Sequence, residues 1–201
     1  MTYKIIDNIV PVSFQNRMEF ILDDITFPWY FSKTIAKNPN NLKYNLNVID
    51  APGFTHSIFN SLANEQKTSL FHIVSTILYF FEEKTNFKIK EIIRIRIRKT
   101  IQYPGHDNNK FTPPHVDLEN VDKYYSLVYY VDDSDGDTFL FKNKYEEGKS
   151  VLYGDETELL VRVPPKKGRA LFFNGKTYHS GNCPINYQSR TIINFDFTLE
   201  E

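Results

Sequence analysis

From Lys88 to Gln102 the chain reads at a period of two, with Ile93, Ile95 and Ile97 alternating with Arg94, Arg96 and Arg98. Successive strand residues point to opposite faces, so this stretch is a long strand with one apolar and one cationic face. Two placements suit it. In one, the arginines form a solvated sheet face. In the other, a helix covers the apolar face, and the opposite face turns toward a cavity where Arg96 or Arg98 meets an anionic substrate. A third use of Arg94, Arg96, Arg98 and Lys99, binding a phosphate backbone, lacks the interleaved aromatic residues that stack bases. A formal net charge of −1 also supplies no global field for nucleic acid.

A helix able to cover that strand precedes it. Leu70, Ile73, Val74, Ile77, Leu78 and Phe81 recur at helical spacing, predicting a helix from about Ser61 to Glu83 that ends by Thr85-Asn86. An earlier helix, capped by Ser13, carries Met18, Ile21, Leu22 and Ile25 on one face until Pro28 stops it. Strands are expected at Thr2 to Ile6 and Trp29 to Ser32, with turns at Asn38-Pro39-Asn40-Asn41 and Ala51-Pro52-Gly53. Further strands are expected at Tyr124 to Val131, Ser150 to Tyr153, Leu159 to Val163, Arg169 to Asn174 and Thr191 to Thr198.

The 201 residues, 41% hydrophobic and 24% charged, suit one globular core. The single cysteine, Cys183, forbids an internal disulfide and fits a reducing compartment. No signal peptide or stretch of about 20 apolar residues is visible, so a cytoplasmic location without membrane association is expected.

The candidate chemistry lies in Pro114-His115-Val116-Asp117 and Tyr178-His179-Ser180-Gly181. On a strand, His115 and Asp117 share a face. A third ligand from His179 would complete two histidines and a carboxylate on one side of a metal, the set that suits non-haem Fe(II). His106, in Gly105-His106-Asp107-Asn108-Asn109, is a weaker candidate suited to substrate contact. Asp132-Asp133-Ser134-Asp135-Gly136-Asp137 fails as an EF-hand on spacing and is expected to be a tight turn.

His115-x-Asp117, Asp135 to Phe141, Val163 to Phe173, His179-Ser180-Gly181 and Arg190 to Phe195, in that order, resemble the prolyl-4-hydroxylase-like branch of the 2-oxoglutarate and Fe(II)-dependent oxygenases. The resemblance runs from about Ile92 to Leu199. It implies a mainly β fold with supporting helices, a double-stranded β-helix or jelly-roll barrel, in a single oxygenase domain over 1–201. Residues 1–86 would be a helical support region, and residues 87–201 the barrel core. It implies Fe(II) on His115, Asp117 and His179, with 2-oxoglutarate and O2 as co-reactants. Arg190 would fork onto the distal carboxylate of 2-oxoglutarate, and Tyr130, Thr138 and Tyr103 would be further cosubstrate contacts; Tyr129 is the alternative register to Tyr130. The expected reaction is C–H hydroxylation coupled to succinate formation. The substrate stays open: peptide or protein first, small molecule second, nucleic acid third. A non-catalytic jelly-roll binding module is the alternative of another class.

Overall fold

A computed structural model describes residues 3–34, 48, 50–63, 66–149, 151–152 and 157–200. In chain order the elements are β1 (Tyr3–Ile6), α1 (Val12–Leu22), β2 (Tyr30–Ser32), β3 (Gly53–Asn60), β4 (Gln66–Lys67), α2 (Phe71–Thr85), β5 (Ile89–Ile101), β6 (Tyr125–Tyr130), β7 (Thr138–Phe141), β8 (Leu159–Val163), β9 (Ala170–Asn174), β10 (His179–Gly181) and β11 (Ser189–Leu199). The large sheet has the order β1-β9-β6-β11-β5-β3-β2, with β4 on β3; the small sheet has the order β10-β7-β8. All their pairings are antiparallel. This is the mainly β, double-stranded β-helix architecture, with two helices.

The period-two pattern of β5 sorts the molecule into layers. Ile95 and Ile97 are fully buried on the outer face of the large sheet, where Val74, Ile77, Leu78 and Phe81 of α2 and Met18 and Leu22 of α1 close over them. Phe81 anchors this layer, with its ring centroid 5.0 Å from Phe172 and 5.7 Å from Phe197. The other face packs against the small sheet: Val128, Tyr130, Leu171, Phe173 and Ile192 meet Leu140 and Val163. The arginines of β5 therefore point between the sheets, toward the cavity, and not into bulk solvent.

Several boundaries differ from the sequence expectation. Pro11, not Ser13, stands at the start of α1, and the helix ends at Asp23. Asp24 then accepts a 2.7 Å hydrogen bond from the Thr26 amide, a local turn that competes with the helix and leaves Ile25 wholly exposed. The helix α2 begins ten residues later than expected, because Gly53–Asn60 and Gln66–Lys67 are strands instead. At that corner, the Asn60 side chain accepts from the Leu62 amide at 3.1 Å and the Ser61 amide reaches Ile93 O at 2.9 Å. At its far end Asn86 takes the left-handed conformation, φ 62°, and its amide bonds Glu82 O. Among the described residues, region 1–86 thus contributes four strands as well as helices. The turn expected at 38–41 lies outside the described residues, and of 150–153 only Val151 and Leu152 are described. No described helix is long and apolar enough to cross a membrane.

Candidate active site

His115 sits in the connection between β5 and β6. It exchanges backbone hydrogen bonds with His179 in both directions, each 2.9 Å, and bridges to Val151 on its other side. The loop thereby extends the small sheet past β10 and holds two rings distant in sequence with centroids 4.7 Å apart. Asp117 follows at i+2 on the same side. The ligand atoms of His115, Asp117 and His179 all lie within 4.8 Å of one another.

Each imidazole is aimed by a carbonyl. His115 Nδ1 donates to Pro113 O at 2.9 Å, and His179 Nδ1 donates to Thr177 O at 3.1 Å. A carbonyl only accepts, so both Nδ1 atoms carry the proton and both Nε2 lone pairs are left for a ligand. Burial, reinforced by the charge His179 would carry, holds His115 down to about 3. It is therefore a neutral imidazole at ordinary pH.

Asp117 is shaped from the opposite side. Its Oδ1 receives Arg94 Nη2 at 2.8 Å and Arg96 Nη2 at 2.5 Å. Its Oδ2 accepts from Asn194 Nδ2 at 2.9 Å and lies 3.2 Å from His179 Nε2. Burial pushes the carboxyl up, but Arg94 and Arg96 outweigh it and hold the group well below the usual carboxylate range. One oxygen is thus tied to guanidinium groups while the other faces the His179 imidazole. Two ligand atoms on a metal with ~2.1 Å bonds stand about 3 Å apart when adjacent, which matches the Oδ2 and Nε2 spacing. Two imidazoles and one carboxylate on one side fit Fe(II).

The same cavity is lined by Thr138 and Arg190. Arg190 is 4% exposed; its Nη2 donates to Thr138 Oγ1 at 2.6 Å, and its guanidinium lies 5.7 Å from the Tyr130 ring centroid. Tyr130 Oη in turn donates to Thr138 Oγ1 at 2.7 Å. Arg190 Nε is buried without a hydrogen-bond partner among the described residues, a donor available to a ligand. Two glycines make room: a Cβ on Gly181 would come within 3.2 Å of Arg190 Nη1, and one on Gly136 would come within 2.7 Å of Asn182 O and 2.9 Å of Arg190 Cδ. The turn at 132–137 is held by protein groups. Asp135 accepts from the Ile185 and Asn186 amides, Asp132 from Thr191, Asp133 from Lys167, and Asp137 pairs with Arg162.

The structure therefore gathers His115, Asp117, His179, Arg190 and Thr138 along one cavity, with Tyr130 behind Thr138. Tyr129 points to the helix side of the sheet. Tyr103 stands apart: it is 37% exposed, packs its ring against His106, and does not line the cavity. His106 is engaged with Asn182, Nδ1 to Oδ1 at 2.5 Å, and is not in the ligand cluster. Sequence reasoning missed Asn194 and Asp196, and it gave Arg94 no part in holding Asp117. The signal existed, since Arg190, Ile192, Asn194 and Asp196 follow the two-residue period that puts them on one face of β11.

No protein-family model matches the chain, and no curated protein matches it. Solved structures do. A 2OG-Fe(II) oxygenase family oxidoreductase from Burkholderia pseudomallei is 13% identical, covering 98% of this chain and 84% of its own at TM-score 0.62. The non-heme alpha ketoglutarate dependent carbocyclase SnoK of nogalamycin biosynthesis is 9% identical, covering 100% and 80% at TM-score 0.63. A prolyl hydroxylase from Trichoplax adhaerens, solved with a hypoxia inducible factor peptide fragment, is 15% identical, covering 98% and 83% at TM-score 0.54. The chain has the double-stranded β-helix fold that these structures share.

Proposed function

We propose that the chain is a 2-oxoglutarate- and Fe(II)-dependent dioxygenase, folded as a single domain over 1–201, that hydroxylates a C–H bond of a peptidyl or small-molecule substrate. One observation carries this reading: both histidine Nε2 atoms are freed by carbonyl-bound Nδ1 protons, with His179 Nε2 3.2 Å from Asp117 Oδ2 and ligand atoms of all three residues within 4.8 Å of one another, in a cavity that also holds the buried Arg190. A passive binding module needs neither the open ligand set nor that arginine.

His115, Asp117 and His179 would hold Fe(II), and Arg190, Thr138 and Tyr130 would hold 2-oxoglutarate. Once bound, Fe(II) and 2-oxoglutarate would supply oxygen activation coupled to oxidative decarboxylation of the cosubstrate. The chain's own contribution is placement. The guanidinium groups of Arg94 and Arg96 hold Asp117 Oδ1, so Oδ2 is the oxygen that would be offered to a metal. Arg190, held by Thr138, presents a fixed fork to a carboxylate. Val128 and Ile192 line the cavity with apolar surface that limits water.

The structures of like fold include a prolyl hydroxylase in complex with a hypoxia inducible factor peptide fragment and a carbocyclase from nogalamycin biosynthesis, so the fold leaves both substrate classes open. The test is a screen of candidate substrates for stimulated succinate release. Succinate formed with iron, 2-oxoglutarate and oxygen, and accelerated by one substrate, is the expected result. No succinate from iron-loaded protein, with or without candidate substrates, contradicts the reading.

A further inference from the structure

Asp196 of β11 is a fully buried acid outside the three candidate ligands. It stands in register between Arg94 of β5 and Ser126 of β6, and both neighbours donate to it. Ser126 Oγ bonds Asp196 Oδ1 at 2.8 Å, and Arg94 Nε bonds Asp196 Oδ2 at 2.9 Å. Asn194 Nδ2, which donates to Asp117 Oδ2 at 2.9 Å, also reaches Asp196 Oδ2 at 3.4 Å. Asp196 thus holds two residues that in turn meet Asp117, Arg94 at Oδ1 and Asn194 at Oδ2.

A guanidinium can fork onto both oxygens of one carboxylate. Arg94 does not do this to Asp117. Its aligned hydrogen bond, from Nε, goes to Asp196. Its Nη2 lies between the two acids, 2.7 Å from Asp196 Oδ2 and 2.8 Å from Asp117 Oδ1, as an ion-pair contact without hydrogen-bond alignment to either. Asp117 therefore meets Arg94 through one oxygen, and its Oδ2 stays beside His179 Nε2 at 3.2 Å. With Asp196 removed, the Arg94 fork would be free to close on both oxygens of Asp117, because a buried guanidinium that loses one carboxylate gains most from fuller pairing with the other. Oδ2 would then be shared between arginine and metal.

We propose that Asp196 is a positioning residue of the metal site: by occupying the Arg94 fork it keeps Asp117 Oδ2 available as a ligand. This rests on the oxygenase reading, which supplies the Fe(II). Asp196 acts on the second oxygen as well. Asp117 and Asp196 both accept from the Asn194 amide, so its NH2 group is the end turned to them, and a donor is fixed against the ligand oxygen. Residues that orient a metal ligand from behind typically change metal affinity by about tenfold to a hundredfold when replaced.

The test is anaerobic calorimetry of Fe(II) alone, titrated into wild type, Asp196→Ala and the double variant Asp196→Ala with Arg94→Lys, each checked for native circular dichroism. Asp196→Ala should bind Fe(II) about tenfold to a hundredfold more weakly. Adding Arg94→Lys should restore most of that affinity, since lysine keeps the positive charge but has no fork to close on both oxygens. This rescue separates positioning from two simpler causes. Loss of a nearby negative charge predicts that the double variant stays as weak as Asp196→Ala, because its net charge is the same, and damage to the core predicts that a second buried change weakens it further. Either result overturns the inference, as does wild-type affinity in Asp196→Ala. Should the alanine variant not fold, Asp196→Asn, which keeps the shape and an acceptor for Arg94 without the charge, takes its place: a smaller loss of Fe(II) affinity that Arg94→Lys reverses supports the inference, and no loss, or a loss that Arg94→Lys leaves in place, overturns it. Wild-type protein that binds no Fe(II) refutes the oxygenase reading itself and this inference with it.

Discussion

Arg190→Ala isolates the cosubstrate site from the metal site. The guanidinium is buried, donates to Thr138 Oγ1 at 2.6 Å and has an Nε unpartnered among the described residues, so it can give a carboxylate hydrogen bonds without breaking an ion pair. Truncating one partner of a buried, hydrogen-bonded charge pair costs about 2–5 kcal/mol. That corresponds to a loss of 2-oxoglutarate affinity of roughly thirty-fold to several thousand-fold. The direct assay is anaerobic calorimetry, titrating 2-oxoglutarate into Fe(II)-loaded wild type and variant, with Fe(II) affinity measured separately. Fe(II) binding should stay nearly intact because Arg190 touches none of the three ligands. Arg190→Lys should recover part of the loss, since it keeps the charge but cannot bond Thr138 and a carboxylate with one rigid fork. Unchanged 2-oxoglutarate affinity in Arg190→Ala would refute the assignment, and equal loss of metal and cosubstrate would show damage to the fold instead.

Phe81→Ala should destabilise the protein by about 3–5 kcal/mol, because it empties a fully buried site among Phe172, Phe197 and Phe87; urea unfolding measures it, and a change under 1 kcal/mol would contradict the packing. Gly136→Ala should weaken 2-oxoglutarate binding and lower Tm, since its Cβ would press on Asn182 O and the Arg190 stem. Cys183 is fully buried, and burial pushes its thiol up to about 11, so a thiol reagent at pH 8 should label unfolded protein promptly and native protein only as fast as it opens. Because the folded thiol holds its proton more tightly than the unfolded one, near 9, this group's contribution to stability is complete below pH 9 and declines as pH rises toward 11; stability that increases over this window would reverse the sign.

Where the sequence was legible, one strong local pattern met one long-range constraint. The alternation of Arg94 to Arg98 marked β5 and its two faces, although a register shift beyond Arg94 puts Ile93 with Leu118 and Tyr124 and not with Ile95 and Ile97, and His115, Asp117 and His179 stood out by residue type and spacing. The placement of the arginines was undecidable locally, because a cationic face suits solvent or cavity equally until the helices are known to cover the other side. β3 was missed because Phe54 to Asn60 has no clean alternation and draws its strand state from pairing with β5. Residues just after Asn60 looked helical on propensity, but β4 pairing and the Asn60 turn override it. Arg94 on Asp117, 23 positions away, follows from cross-strand register that no local window contains.

The most direct measurement is the visible spectrum of the protein with Fe(II) and 2-oxoglutarate in the absence of oxygen. If His115, Asp117 and His179 leave room on iron for a chelating 2-oxo acid, a charge-transfer band appears only when all three components are present. It should diminish in Asp117→Ala and require more 2-oxoglutarate in Arg190→Ala, and admitting oxygen should bleach it with release of succinate. Iron-loaded wild-type protein that shows neither band nor succinate would contradict the account and leave the fold serving a binding role.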